Sequence, residues 1–132
     1  MIKAISHIGI AVQDLEAARG FFEKHFSLAS TPAERFGELA FSFVPFPEAG
    51  ARLELLQSTT AEGTMAKFIA RKGPGMHHIA LEVDDVRAEL DRLKAEGIEL
   101  INPEPYRNAH QELVAFVHPR STGGILIELI QR

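Results

Sequence analysis

Apolar and polar residues are arranged so that a strand followed by a helix is predicted at two places along the chain. Residues 3–12 and 76–84 are rich in β-branched and other apolar residues, which is typical of strands. Each segment is followed by an aspartate, Asp14 or Asp85, whose side chain suits the N-cap of a helix. Each half of the chain is therefore predicted to begin with a strand and to continue into a helix.

Apolar residues recur at helical spacing after both aspartates. They stand at Leu15, Ala18, Phe21, Phe22 and Phe26 in the first helix, and at Val86, Leu90 and Leu93 in the second, which Gly97 ends. Further strands are predicted at residues 38–46, 51–57, 98–101, 112–118 and 124–131, with a turn at 47–50 and a connecting helix at 62–72.

The two halves also resemble each other in sequence. Residues 7–17 align without a gap with residues 78–88, and the alignment matches His7 with His78. The chain thus contains an internal repeat whose two copies both start with a histidine strand.

A second match closes each half. Residues 52–57 resemble residues 126–131, and this match places Glu54 opposite Glu128. Each half is therefore predicted to end with a glutamate strand.

The repeat and the predicted elements define the expected fold class. We expect an α+β fold in which tandem βαβββ modules form an eight-stranded mixed, partly open barrel-like sheet with helices on the outside. Residues 1–132 are expected to form a single domain, with modules at residues 1–60 and 75–132 and a helical connector at residues 61–74.

Composition excludes several classes of function. The net charge of −4 and the lack of a long basic stripe argue against a nucleic-acid partner. No segment has the length of an apolar membrane span and the first residues lack signal-peptide features, so we expect a cytoplasmic protein without a membrane partner. Because the chain contains no cysteine, any metal must be held by nitrogen and oxygen atoms.

Four repeat-matched residues are candidate metal ligands. Side chains alternate across a strand, so His7 and His78 each share a face with small residues. Glu54 and Glu128 are flanked by apolar residues, and a buried carboxylate without a partner is costly. Two imidazoles and two carboxylates suit a divalent ion. We expect one ion of Co, Mn, Ni, Zn or Mg per chain, held by His7, Glu54, His78 and Glu128.

The other four histidines receive different interpretations. His77 is expected to face a helix, because strand alternation separates it from His78. His25 is expected at the surface, and His118 is expected to support the turn that follows it. For His110, a role at the mouth of the site and a purely structural role stay open.

The chain resembles the vicinal oxygen chelate superfamily over nearly its whole length, from residues 6–12 onward. Residues 75–85 carry part of the resemblance, and residues 118–129 are similar to the branch that epimerises methylmalonyl-CoA. The resemblance implies the same four metal ligands, with Gln or Glu at position 54. The loop at residues 108–111 departs from it, reading Asn-Ala-His-Gln where Gly-Ala-His-Gly is usual.

The resemblance implies an isomerase that acts on a CoA thioester. Its metal ion would act as a Lewis acid where enolate charge develops, and Glu128 and Glu54 are the candidate acid–base residues. The candidate substrate-binding residues are Ser121, Thr122, Gly123 and His110. We expect a homodimer.

Two alternatives stay open. A glyoxalase I type lactoylglutathione lyase would use the same four ligands and a similar proton transfer. A non-catalytic small-molecule-binding module of the same fold would be expected to lack the ligand set.

Overall fold

The computed structural model describes residues 1–48 and 50–132, so Ala49 in the predicted turn lies outside the described residues. The chain divides into two compact units. We call residues 7–77 the N-terminal unit, and residues 1–6 together with 78–132 the C-terminal unit. Within the described part of the chain, no helix is both long enough and apolar enough to cross a membrane.

The N-terminal unit contains a four-stranded mixed sheet and two helices. Its elements are β1 (Ile2–Ala11), of which residues 7–11 belong to this unit, α1 (Leu15–Phe26), β2 (Glu34–Phe36), β3 (Leu39–Val44), β4 (Arg52–Ser58) and α2 (Thr64–Lys72). The strand order is β2-β3-β4-β1. β1 and β4 are parallel, and the other neighbours are antiparallel.

The C-terminal unit repeats this arrangement with one helix. Its elements are β5 (Gly75–Val83), of which residues 78–83 belong to this unit, α3 (Val86–Ala95), β6 (Tyr106–Arg107), β7 (Leu113–Val117) and β8 (Ile127–Gln131). The strand order is β5-β8-β7-β6, with β5 and β8 parallel and the other neighbours antiparallel. The predicted α+β class, with an eight-stranded mixed sheet and tandem βαβββ modules, is confirmed.

One strand prediction was wrong. Residues 98–101 do not form a strand, since Leu100 makes only an isolated bridge to Val117. The corresponding strand of the module is β6, which lies further along the chain and has two residues. Pro103 and Pro105 separate the two segments, and proline cannot donate a backbone hydrogen bond to a sheet.

The predicted aspartate caps are confirmed. The Asp14 side chain accepts a hydrogen bond from the backbone N–H of Ala17 at 3.1 Å. The Asp85 side chain does the same for Ala88 at 3.0 Å. Replacing such a cap with alanine typically costs about 1 kcal/mol of stability.

Two glutamines, which the sequence analysis did not single out, also hold the starts of these helices. Gln57 is the next-to-last residue of β4, and its Oε1 accepts a hydrogen bond from the backbone N–H of Leu15 at 2.8 Å. Gln131 Oε1, the last residue of β8, accepts one from Val86 at 2.8 Å. The same strand-to-helix hydrogen bond is therefore present in both units.

Each unit has its own hydrophobic core between its sheet and its first helix. In the N-terminal unit the buried core residues include Leu15, Val44 and Leu55. In the C-terminal unit they are Val83, Val86, Leu90, Leu113, Ala115, Val117 and Leu129. The opposite face of each sheet is therefore the one available for polar chemistry.

Candidate functional site

His7 and Glu54 form a close pair on the sheet face that turns away from α1. His7 Nε2 lies 3.2 Å from Glu54 Oε1, and the two side chains are 4% and 13% exposed. The parallel register of β1 and β4 places Glu54 opposite Gly9, two residues after His7. We call the sheet face that carries His7 and Glu54 the N-terminal His–Glu face, and the face that carries His78 and Glu128 the C-terminal His–Glu face.

His78 and Glu128 form the equivalent pair in the C-terminal unit. His78 Nε2 lies 3.1 Å from Glu128 Oε1, and the side chains are 5% and 8% exposed. Here the glutamate lies opposite Ala80, which again follows the histidine by two residues. The two pairs thus have the same position in their modules, as the sequence repeat predicts.

A phenylalanine on the strand next to the glutamate strand contacts each histidine. Phe43 of β3 meets the His7 ring edge-on at a centroid distance of 5.9 Å. Phe116 of β7 meets the His78 ring in the same way at 5.5 Å. Each phenylalanine is also the cross-strand partner of the glutamate of its unit. An apolar ring therefore limits the access of water to each pair.

The donor atoms of these pairs match the chemistry of a metal site. His7, Glu54 and His78 each offer a ligand atom that could hold a metal ion. Buried carboxylates with an imidazole as neighbour are expensive unless a cation balances their charge. Nitrogen and oxygen donors of this kind suit first-row divalent metals and Mg²⁺.

Three of the remaining histidines lie where the sequence predicts. The His77 ring packs against Phe68 of α2 at a centroid distance of 4.8 Å. His118 Nδ1 accepts a hydrogen bond from the backbone N–H of Arg120 at 3.0 Å, which supports the following 3₁₀ turn. His25 is exposed on α1.

The loop that precedes β8 holds itself together through its own side chains. The Thr122 hydroxyl accepts from the Ile125 N–H at 3.1 Å and donates to the Ile125 carbonyl. The Ser121 hydroxyl accepts from the backbone N–H of Glu99 at 2.9 Å. Gly123 follows with a φ of +79°. These three residues were predicted to bind substrate, and the hydroxyls of both Ser121 and Thr122 already take part in hydrogen bonds within the protein.

The loop that carries His110 is also preorganised. Asn108 Oδ1 accepts from the backbone N–H groups of His110 and Glu112 at 2.9 and 3.0 Å. Gln111 has a φ of +63°, a conformation that glycine adopts more easily. The hydrogen bonds of Asn108 therefore hold the loop in this conformation without the two glycines that the related loops usually have. His110 itself is exposed.

Glu34 is a further carboxylate of the N-terminal His–Glu face. It pairs with Phe41 across β2 and β3, and the Phe41 ring contacts the Phe43 ring at 6.0 Å. Because paired residues and alternate residues share a face, half-buried Glu34 lies on the same face as Glu54. β2 has only three residues, too few for an alternating pattern to be visible.

The fold and these pairs define a family, and sequence comparison agrees. Residues 6–116 match the sequence profile of the Glyoxalase/Bleomycin resistance protein/Dioxygenase superfamily, and the chain belongs to this superfamily.

Within this superfamily the chain is similar to methylmalonyl-CoA epimerases, as the sequence resemblance indicates. It is 35% identical to the ethylmalonyl-CoA/methylmalonyl-CoA epimerase of Cereibacter sphaeroides, over 99% of both chains. It is 34% identical to the mitochondrial methylmalonyl-CoA epimerase of Homo sapiens, over 96% of this chain and 73% of that protein. A variant of Streptomyces coelicolor methylmalonyl-CoA epimerase, solved with 2-nitronate-propionyl-CoA, superposes with a TM-score of 0.90 at 28% identity, covering 99% and 95% of the two chains.

Proposed function

We propose that this protein is an isomerase that interconverts (R)- and (S)-methylmalonyl-CoA and uses one divalent metal ion. The observation that carries the proposal is the buried His–Glu pair, which occurs at the same position in both modules. The similarity to epimerases over nearly the whole chain supports the choice of substrate.

The metal ligands in this proposal are His7, Glu54, His78 and Glu128. Their support is chemical, since all four side chains are largely buried and offer only nitrogen and oxygen donors. A bound divalent ion supplies Lewis-acid stabilisation of the negative charge that develops on the thioester oxygen. Cobalt is among the expected metals, and elemental analysis of the purified protein measures which divalent ion is bound.

Epimerisation requires one group to remove the proton from C2 of the substrate and another to return a proton to the opposite face. We propose Glu128 and Glu54 for these roles, since both carboxylates lie on the His–Glu faces. A carboxylate that also binds a metal is a weaker base unless it detaches. Glu34, which is not among the proposed ligands, is therefore the alternative acid or base of the N-terminal unit.

The CoA thioester is proposed to bind beside the loops that carry Ser121, Thr122, Gly123 and His110. Since the Thr122 hydroxyl is engaged within its loop, we propose the backbone N–H of Gly123 as a donor to a substrate oxygen. Within the described residues, this N–H makes no backbone–backbone hydrogen bond. A substrate carboxylate or thioester oxygen has the right chemistry for it.

The assembly and location belong to the same proposal. We predict a homodimer in the cytoplasm. We also predict that each chain has modules at residues 1–60 and 75–132, joined through residues 61–74. Size-exclusion chromatography with light scattering measures the oligomeric state directly.

A proton-exchange assay tests the proposed activity. The metal-loaded protein is incubated in D₂O with a single epimer of methylmalonyl-CoA, and NMR follows deuterium incorporation at C2 together with the appearance of the other epimer. Both are expected. Failure of exchange, combined with turnover of the methylglyoxal–glutathione adduct, would replace the epimerase assignment with a glyoxalase I type activity.

A further inference from the structure

The two His–Glu faces differ in charge directly beside their glutamates. The repeat pairs histidine with histidine, glutamate with glutamate and capping glutamine with glutamine, and each face has its phenylalanine. At the position two residues before the glutamate, however, the N-terminal unit has Arg52 and the C-terminal unit has Leu126.

The Arg52 side chain belongs to the N-terminal His–Glu face. Arg52 is the cross-strand partner of His7 and precedes Glu54 by two residues, so all three share one side of the sheet. Its guanidinium carbon lies 3.7 Å from the centroid of the Phe43 ring, whose edge-on partner is His7. A permanent positive charge is thus fixed next to the His7–Glu54 pair.

The C-terminal unit indicates that the fold does not require this charge. There, Phe116 meets His78 at a similar angle and distance, with an apolar leucine at the equivalent position. The contact with Phe43 also has a functional advantage, because a guanidinium held over an aromatic ring loses little freedom when it binds a ligand. Its N–H donors lie in one plane, which matches the geometry of a carboxylate.

We propose that Arg52 is a positioning residue that binds the negatively charged group of the substrate's acyl part. This inference rests on the proposed epimerase function and adds to it. A 2-methylmalonyl thioester has two different arms at C2, a carboxylate and a thioester. A fixed positive charge beside the His7–Glu54 pair would bind the carboxylate arm and would favour dicarboxylic over monocarboxylic acyl thioesters.

The test compares two thioester probes on metal-loaded protein. Wild type, Arg52→Leu and Arg52→Lys are titrated with 2-nitronate-propionyl-CoA, which carries a negative group at C2, and with propionyl-CoA, which does not. For Arg52→Leu we expect affinity for the anionic probe to fall about 10- to 100-fold, the range for losing a charge-assisted hydrogen bond. Affinity for propionyl-CoA is expected to stay the same, and Arg52→Lys should restore part of the loss.

Kinetics and a charge-matched control complete the experiment. KM for methylmalonyl-CoA is expected to rise in Arg52→Leu by more than kcat falls, with unchanged metal content. Arg87→Leu, which removes one exposed positive charge on α3, should leave the ratio of the two affinities at the wild-type value. If Arg52→Leu does not fold, Arg52→Gln is compared in its place.

Equal loss of affinity for both probes, or no loss for either, would overturn the proposal for Arg52. Either result in a wild-type protein that epimerises methylmalonyl-CoA contradicts only this inference. A wild-type protein without epimerase activity contradicts the proposed function itself.

Discussion

At the scale of single residues, the paired histidines are distinguished from His77 by what their rings touch. His7→Ala and His78→Ala are expected to lose bound metal, because each removes one imidazole ligand. His77→Ala is the matched control, since its ring packs on Phe68, and it should keep most of the metal. Elemental analysis of the folded variants measures the effect. Equal loss in all three variants would show that the proposed ligand set is wrong.

The two buried glutamates are expected to be unequal in catalysis. Glu128→Gln should abolish exchange of the substrate C2 proton, because an amide oxygen can still approach a metal but cannot accept a proton. Glu54→Gln should keep part of the activity, since the family resemblance allows glutamine at this position. NMR in D₂O measures both rates on metal-loaded protein.

Wild-type exchange rates in Glu128→Gln would mean that Glu128 acts only as a ligand. Glu34→Gln would then be the decisive variant, because Glu34 lies on the N-terminal His–Glu face without being a proposed ligand.

At the scale of secondary-structure elements, the glutamine bonds make a prediction about stability. Gln131→Ala leaves the backbone N–H at the start of α3 without its acceptor and is expected to cost about 1 kcal/mol. Gln57→Ala should act similarly on α1. Urea denaturation followed by circular dichroism measures the loss, and exposed Gln13→Ala is the control. Denaturation midpoints equal to that of Gln13→Ala would show that water replaces these bonds at no cost.

The elements differ in how far local sequence determines them. The caps Asp14 and Asp85 act on residues three positions away, so the sequence alone predicts both helix starts. β2 has three residues and β6 has two, and both depend on pairing with neighbouring strands, so no local sequence pattern predicts them. The position of a strand can be predicted where apolar and polar residues alternate over a long segment. It cannot be predicted where only pairing with a neighbouring strand defines it.

The candidate site shows the same division. His7 and Glu54 are recognisable because the repeat preserves them in both modules. The contacts of Arg52 with Phe43, and the place of Glu34, follow from the register of neighbouring strands. Register across a sheet connects residues far apart in the chain, and a single sequence contains little information about it.

At the scale of the whole molecule, an ion-pair cluster makes stability depend on pH. The α-amino group of Met1 lies 2.8 Å from Asp84 Oδ1 and 2.9 Å from Glu89 Oε2. Hydrogen bonding to this ammonium group holds the pKa of both carboxyls below their usual values of 3.8 and 4.5. The same contacts, first of all the one with Asp84, raise the pKa of the amino group above 8.0.

The direction of each effect on stability follows from the linkage between proton binding and folding. The lowered carboxyl pKa values add stability that is present above about pH 4.5 and is lost as the pH falls through them. The raised pKa of the amino group adds stability that is present below about pH 8.0 and is lost as the pH rises through its folded value. In Glu89→Gln, stability is therefore expected to fall less than in the wild type as the pH is lowered.

Thermal unfolding followed by circular dichroism over a series of pH values measures this dependence. The method suits this chain because it needs no tryptophan fluorescence. Glu23→Gln on the exposed surface of α1 is the control, and its pH profile should match that of the wild type. An unchanged acid limb in Glu89→Gln would show that the cluster does not contribute to stability at low pH.

The glutamine at the end of each glutamate strand also has a consequence for misfolding. Glu54 and Gln57 lie on the same strand, as do Glu128 and Gln131, and each strand also supplies core residues. If such a strand slipped by one residue while folding, its glutamate would turn toward the apolar core and its glutamine would leave the helix N-terminus. Both errors raise the free energy of the slipped chain together. The native pairing is therefore separated from the pairing shifted by one residue by a larger free-energy gap than burial of the apolar residues alone would provide.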